Sequence, residues 1–168
     1  SLGKIKALIK IQIVYELRTN KIEYFEITPY AKNDQSMSRE ILTIAKKGDL
    51  VLRDLGYFVL NSFEGLNENE ASYISRLKAG VKIYDQVSGK EINLAKILKR
   101  DGRIDRWVLI GKEKQVRMRI VAQKLPEDVV YNKIEKAKKD RDRRKNHGKD
   151  YLYLLNFNIY VTNISNGE

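Results

Sequence analysis

The sequence predicts an α/β (α+β) fold built on a mixed sheet, and three observations favour this class. The chain opens with two strand-like segments joined by a short polar turn, which predicts an antiparallel hairpin. An apolar run at 50–52 is too short for a helix and lies between two segments with helical spacing, so it predicts a buried strand. Beyond residue 79, strand-like segments alternate with glycine-containing turns, which indicates a β-rich second part.

The predicted hairpin consists of residues 7–17 and 22–28, and Pro29 ends its second strand. The first strand alternates over part of its length, so that its isoleucines share one face. Polar residues at 33–36 then precede apolar residues at helical spacing, which is typical of a helix N-terminus. We interpret Asp34 as a cap of this helix, and a role in an active site is the less favoured alternative.

The strand at 50–52 leads to Asp54, and Gly56 is expected to let the backbone turn after it. We expect a helix through 58–63 and a further strand at 72–78. The order β-β-α-β-α-β is that of a ribonuclease-H-like core that lacks its first strand. Because ligands and metals collect at the carboxyl ends of strands in open α/β sheets, Asp54 is well placed for chemistry. Taken alone, Asp54 is also interpretable as a turn or capping residue.

The second part is expected to be an insertion in this core, because no flexible linker precedes it. Its predicted elements are strands at 81–84, 106–110, 115–123 and 151–162, a helix at 93–100 and a helix that begins at Pro126. The sequence therefore predicts three regions: an incomplete ribonuclease-H-like core at 1–78, a β-rich insertion with a basic helix at 79–150, and a returning strand at 151–168.

The chain contains no cysteine and a single histidine, His147. This composition excludes disulfide frameworks, thiolate zinc sites, cysteine nucleophiles and a serine–histidine triad. Any metal would be held by carboxylates, which suit hard cations such as Mg²⁺ or Mn²⁺. No apolar run has the length of a membrane span and no signal-peptide pattern is present, so we expect a cytoplasmic protein with no membrane partner.

The formal net charge of +11 at pH 7 favours nucleic acid as a partner over the alternative of a merely soluble basic protein. Nine basic and three acidic residues lie within 133–149. We predict that this run contacts a phosphate backbone, and the alternative is a solvated helix whose charges pair locally. The predicted phosphate contacts in the run are Lys138, Lys139, Arg141, Arg143, Arg144 and Lys145.

Basic residues also alternate with apolar ones along two predicted strands. Arg117 and Arg119 share one strand face, and Arg76 and Lys78 do so at the end of the core strand. A basic sheet face predicts a surface that binds DNA, although arginines on a solvated sheet face are also common. Trp107 could stack on an unpaired base, but an aromatic residue in a strand belongs more often to a core.

Four segments together resemble bacterial insertion-sequence transposases of the DDE superfamily, in the branch whose ribonuclease-H-like core carries a β-rich insertion. The most specific segment is GDLVLRDLGYF at 48–58, and the others are 73–78, 116–121 and 160–164. The resemblance covers nearly the whole chain. It implies that three acidic residues hold two divalent cations, Mg²⁺ or Mn²⁺, which activate water or a DNA 3′-hydroxyl for attack on a phosphodiester.

Asp54 matches the second of these three acids. No residue in 1–20 matches the first acid, and the third, a glutamate in the family, normally follows the segment at 160–164. The resemblance therefore implies a fragment of the enzyme. We expect it to be inactive in strand cleavage and transfer, because one carboxylate cannot fix two magnesium ions.

The resemblance also implies partners and a location. Transposon-end DNA is the expected partner, with a homodimer on DNA in the full-length protein and association with the nucleoid in the bacterial cytoplasm. The insertion of this family contacts transposon-end DNA, which implies phosphate contacts for Arg117, Arg119 and the run Lys138–Lys145. Two other functions stay open: a non-catalytic nucleic-acid-binding module, and a ribonuclease-H-like nuclease that acts on RNA or hybrids.

Overall fold

The computed structural model describes residues 8–29, 34–139 and 148–165, which form eight strands and five α-helices. The strands are β1 (Ile9–Glu16), β2 (Lys21–Pro29), β3 (Leu50–Arg53), β4 (Ser72–Arg76), β5 (Ile83–Asp85), β6 (Ile104–Ile110), β7 (Val116–Lys124) and β8 (Phe157–Thr162). The helices are α1 (Ile41–Ile44), α2 (Leu60–Glu68), α3 (Leu94–Asp101), α4 (Glu127–Lys139) and α5 (Lys149–Leu154), with 3₁₀ turns at Asp34–Met37 and Leu55–Tyr57. None of these helices is long and apolar enough to span a membrane.

The described strands form two sheets. β1 and β2 pair in an antiparallel hairpin, as their alternation predicts. The other strands form a six-stranded sheet in the order β3-β4-β8-β7-β6-β5, in which β3 and β4 are parallel and all other neighbours are antiparallel. The predicted α/β (α+β) class with a mixed sheet is therefore confirmed. Strands from all three predicted regions share the larger sheet, and the region boundaries stay a prediction.

One face of the six-stranded sheet carries the hydrophobic core. Tyr73 of β4 and Met118 of β7 are fully buried there, because alternate strand residues point to the same face. α2 contributes Phe63 and Leu66 to the same cluster, and the ring centroids of Phe63 and Tyr73 are 4.7 Å apart. This packing fixes β3 and β4 and therefore the position of the residues that follow them.

The other face of this sheet carries exposed and half-buried side chains. Arg76 of β4 pairs in register with Tyr160 of β8, which in turn pairs with Val121 of β7. Lys133 of α4 donates a hydrogen bond to Asn158 of β8 at 3.0 Å. The carboxyl end of β4 is thus brought close to a basic helix.

The prediction of one strand over 151–162 is wrong in its first part, because α5 precedes β8. α5 packs on α3: the Tyr153 hydroxyl donates to the Leu98 carbonyl at 3.2 Å, and Asp150 forms an ion pair with Lys99 at 2.7 Å. A short apolar run fits a helix or a strand equally well by periodicity. Here the tertiary contacts with α3 stabilise the helix.

Candidate active site and basic surface

Asp54 directly follows β3, at the carboxyl end of the parallel pair β3–β4. Its backbone is still extended (φ −76°, ψ 160°), and the 3₁₀ turn Leu55–Tyr57 begins with the next residue. The Asp54 side chain is 71 % exposed and accepts a hydrogen bond from Arg76 Nη2 at 3.2 Å. A strand ends at this aspartate as predicted, but the expectation of a buried strand is wrong. β3 lies at the edge of the described sheet, so Leu50 and Leu52 are 54 % and 61 % exposed.

An open cleft of about 280 Å³ includes Asp54. Its walls come from the adjacent strands β3, β4 and β8, on the sheet edge where parallel strands end. The other lining residues are Leu52, Arg53, Ile74, Ser75, Arg76 and Tyr160. The cleft therefore combines an apolar wall with the carboxylate of Asp54 and the guanidinium group of Arg76.

The surroundings of Asp54 favour its charged form. The backbone N–H of Leu55 lowers the pKa of Asp54 most. Burial opposes this effect, and Arg76 and the N–H of Gly56 lower the pKa further, so that it lies below its ordinary value. Asp54 is therefore ionised at neutral pH. This is the protonation state in which a carboxylate binds a divalent cation.

The described residues do not complete a metal site by themselves. Within 8–29, 34–139 and 148–165, no three His, Cys, Asp or Glu side chains gather at one point. The negative charge of Asp54 acts on Asp34, but Asp34 already accepts hydrogen bonds from Lys10 and Gln12. Asp54 alone offers hard oxygen ligands, and one carboxylate cannot orient two magnesium ions.

The interpretation of Asp34 as a helix cap is wrong. α1 begins at Ile41 and its N-cap position is Glu40, whereas Asp34 starts a separate 3₁₀ turn. The Asp34 side chain instead bonds Lys10 and Gln12 on β1, at 2.9 and 3.1 Å. Sequence reasoning missed this link because the partners are 24 and 22 residues away from Asp34, and no local pattern signals such a contact.

Gly56 has close neighbours but no unusual backbone angle. It is absent from the glycines with positive φ in the described chain. A Cβ built on Gly56 would lie 3.0 Å from Oδ2 of Asp34. The backbone turns at Gly56 as expected, and the missing side chain also leaves room for a carboxylate beside the turn.

Arg76 is the last residue of β4 and lines the cleft, and Lys78 follows two residues later. Arg76 is exposed and forms the ion pair with Asp54, and Lys78 is half-buried beyond the strand. The pKa of Lys133 is lowered by burial and by the positive charge of Arg76, which places these two cations near each other. The basic helix α4 and the candidate active site therefore adjoin.

Arg117 and Arg119 share a strand face as predicted, but their guanidinium groups have different surroundings. Arg119 is 14 % exposed, donates two hydrogen bonds of 2.7 Å to Asp105 and a third to the Ile164 carbonyl. Arg117 is exposed and lies over the Trp107 ring at 4.1 Å. Arg117 is therefore the more accessible of the two for a phosphate group.

The predicted basic run is only partly covered by the structure. Lys138 and Lys139 end α4 and are exposed, and Lys138 pairs with Glu135 at 3.1 Å. The remaining predicted contacts Arg141, Arg143, Arg144 and Lys145 lie outside the described residues, as does His147.

A larger cleft of about 640 Å³ lies at the start of β6 and includes Arg100, Arg103 and Arg106. Two of these arginines are compensated locally, Arg100 by Asp101 and Arg106 by Asp85. We therefore place the candidate site at Asp54, where a carboxylate meets the ends of parallel strands.

The family model and the relatives that match this chain all describe transposases. Residues 3–164 match the family described as "Transposase DDE domain". The chain is 28 % identical over 175 residues to the transposase for insertion sequence element IS231F of Bacillus thuringiensis subsp. israelensis, and 27 % identical over 180 residues to that for IS1151 of Clostridium perfringens. These alignments cover 92 % and 94 % of the chain, and the chain spans 37 % of the length of each relative. No solved structure matches it.

Proposed function

Because the chain belongs to the family of transposase DDE domains, we propose that it is part of a DNA transposase in which Asp54 is one of the catalytic carboxylates. One observation supports this role above the others. An exposed, ionised carboxylate lies at the carboxyl end of a parallel strand pair, beside an open cleft.

DDE transposases use divalent metal, and we propose Mg²⁺ or Mn²⁺ because carboxylate oxygens are hard ligands. Since the described residues offer one suitable carboxylate, we assign the remaining metal ligands to acidic residues outside the present sequence. The relatives are long enough to supply them, because the chain spans 37 % of their length. We therefore expect the 168-residue chain to bind DNA without cleaving it.

The free edge of β3 supports the proposal that a further strand belongs beside it. Among the described strands β3 pairs only with β4, and Leu50 and Leu52 are 54 % and 61 % exposed. The hairpin β1–β2 likewise pairs with no strand of the larger sheet. We propose that a further strand lies in space between β1 and β3, so that the two sheets become one. This strand would bring the first family acid next to Asp54.

We propose transposon-end DNA as the partner, and a homodimer on DNA for the full-length protein. Positive charge near the cleft supports the DNA contact, because arginine and lysine neutralise phosphates and release counterions. The proposed phosphate contacts are Arg76, Lys78, Arg117, Arg119, Lys138, Lys139, Arg141, Arg143, Arg144 and Lys145. To contact a phosphate, Arg119 would have to exchange its hydrogen bonds to Asp105. We therefore expect Arg119 to contribute least to the affinity for DNA.

The experiment that tests the proposal is Asp54→Asn in the full-length transposase that contains this chain. We expect strand cleavage of transposon-end DNA to fall below detection while DNA affinity changes by less than about twofold, because an amide cannot replace a charged metal ligand. Cleavage assays with Mg²⁺ and with Mn²⁺, together with electrophoretic mobility shifts, measure both quantities.

Asp101→Asn is the matched control, because Asp101 also pairs with an arginine but lies in α3, away from the cleft around Asp54. Cleavage by this variant should equal that of the unmodified protein. Normal cleavage by the Asp54→Asn protein would remove Asp54 from the catalytic set.

A further inference from the structure

We infer that Asp34 is a positioning residue for Asp54, through which the β1–β2 hairpin fixes the turn that follows β3. The inference rests on the proposed function, since it assumes that Asp54 is a catalytic carboxylate. It assigns a role in the reaction to Asp34 and to the hairpin side chains that contact it.

The first link runs from β1 to Asp34. Oδ1 of Asp34 accepts hydrogen bonds from Lys10 Nζ at 2.9 Å and from Gln12 Nε2 at 3.1 Å. Gln12 is 4 % exposed although it is an amide on a two-stranded hairpin. A buried amide is stable only when both of its ends are hydrogen-bonded, so the partners of Gln12 are strongly specified.

The second link runs from Gln12 to the turn after Asp54. The other end of the amide, Oε1, accepts a hydrogen bond from the Tyr57 hydroxyl. The Tyr57 backbone N–H donates to the Asp54 carbonyl at 3.0 Å, and Arg53 lies over the Tyr57 ring at 4.7 Å. Tyr57 is therefore held at its hydroxyl, its ring and its backbone.

The third link is the close approach of Asp34 to Gly56 in the turn. Oδ2 of Asp34 lies on the side of Gly56 where another residue would carry its Cβ, which would then be 3.0 Å from this oxygen. Lys10 lowers the pKa of Asp34 most, whereas the charge of Asp54 raises it. Asp34 is thus a carboxylate whose charge is compensated by Lys10 of β1 and whose other oxygen faces Gly56 in the turn after Asp54.

The test uses the full-length transposase and compares Asp34→Ala with Asp34→Asn. We expect Asp34→Ala to lower the cleavage rate at saturating DNA by roughly ten- to hundredfold, because small misplacements of a reacting group have effects of this size. Asp34→Asn should recover part of the rate, since its amide oxygen still accepts a hydrogen bond. The DNA concentration at half-maximal rate should stay within about twofold.

A second pair of variants tests the route through Gln12. Tyr57→Phe removes the hydroxyl that reaches Gln12, and Tyr24→Phe removes a hydroxyl that bonds Glu26 within the hairpin. Only Tyr57→Phe should lower the cleavage rate. Hydrogen exchange of the same proteins supplies a readout other than activity: amides in 55–58 should exchange faster in Asp34→Ala and Tyr57→Phe, while those of β6 and β7 stay unchanged.

The outcomes separate the two proposals. An unchanged cleavage rate in Asp34→Ala, or faster exchange throughout the sheet, would overturn the positioning role, because Asp34 would then be dispensable or generally structural. Undiminished cleavage in Asp54→Asn would instead overturn the proposed function, whatever Asp34 does.

Discussion

Single side chains make the long-range connections of this fold, and Asn163 shows the effect. Its side chain accepts a hydrogen bond from the Tyr73 backbone N–H and donates to the Ala71 carbonyl and to Asn67 Oδ1, each at 2.9 Å. Asn163 therefore ties the end of β8 to the start of β4 and to α2. The sequence places Asn163 in a family segment, but the contacts that explain it join residues far apart in the chain.

We predict that Asn163→Ala lowers the free energy of unfolding by about 1–3 kcal/mol, because it leaves the buried N–H of Tyr73 without a partner. Urea denaturation followed by circular dichroism measures this difference. Asn132→Ala is the control, since Asn132 is exposed on α4 and should change the free energy by less than about 0.5 kcal/mol. Equal effects of both substitutions would contradict the bridging role.

The candidate site likewise contains one residue whose place could be predicted from the sequence and one whose role could not. The location of Asp54 was predictable, because the apolar run 50–52 and its flanking residues define a strand end within one short segment. The role of Asp34 was not, because its side chain has partners on β1 and beside Gly56. Local patterns report what the backbone does nearby, and they carry no information about which distant side chains meet.

At the scale of elements, the hairpin β1–β2 has its apolar face turned outward. Ile11 pairs with Ile27 and Ile13 with Phe25, and all four side chains are between 52 % and 56 % exposed. The inward face carries the buried Gln12 instead. Alternation predicted that the isoleucines share a face, but periodicity cannot tell which face is covered.

We predict that the 168-residue chain self-associates through this face, because contiguous exposed apolar surface drives association. The double substitution Ile13→Thr and Phe25→Thr should reduce the associated fraction at least severalfold while keeping residues that favour strands. Sedimentation velocity over a range of concentrations measures it. Val87→Thr is the control, since Val87 is 90 % exposed but lies elsewhere, in the turn after β5; an equal reduction by this variant would contradict the prediction.

At the scale of the whole molecule, the net charge of +11 is distributed over paired and unpaired groups. Surface ion pairs such as Lys47–Glu70, Lys82–Glu91 and Lys99–Asp150 engage some of the 33 basic side chains with some of the 22 acidic ones. Compensated lysines release fewer counterions on binding DNA than uncompensated ones do. The sequence therefore predicts that the partner is negatively charged, and the structure indicates which basic side chains already form ion pairs within the protein.

We predict that replacing Arg143, Arg144 and Lys145 by glutamine lowers the slope of log K against log salt for DNA binding by about 2–3, since each phosphate contact contributes about 0.9. Fluorescence anisotropy at several salt concentrations measures the slope. The matched control replaces the paired residues Lys47, Lys82 and Lys99 by glutamine and should change the slope less. If the two triple variants lower the slope equally, the run 133–149 acts only through net charge.

The order of strands in the larger sheet has a consequence for synthesis of the chain. β8, the last described strand, lies between β4 and β7, and among the described strands it alone joins the pair β3–β4 to the unit β5–β6–β7. A nascent chain that ends before residue 157 therefore holds two separate sheet fragments, each with an open edge. β4 gains its second strand neighbour, and the cleft around Asp54 gains Tyr160, only when residues 157–162 have left the ribosome, so this cleft is completed late although Asp54 is made early.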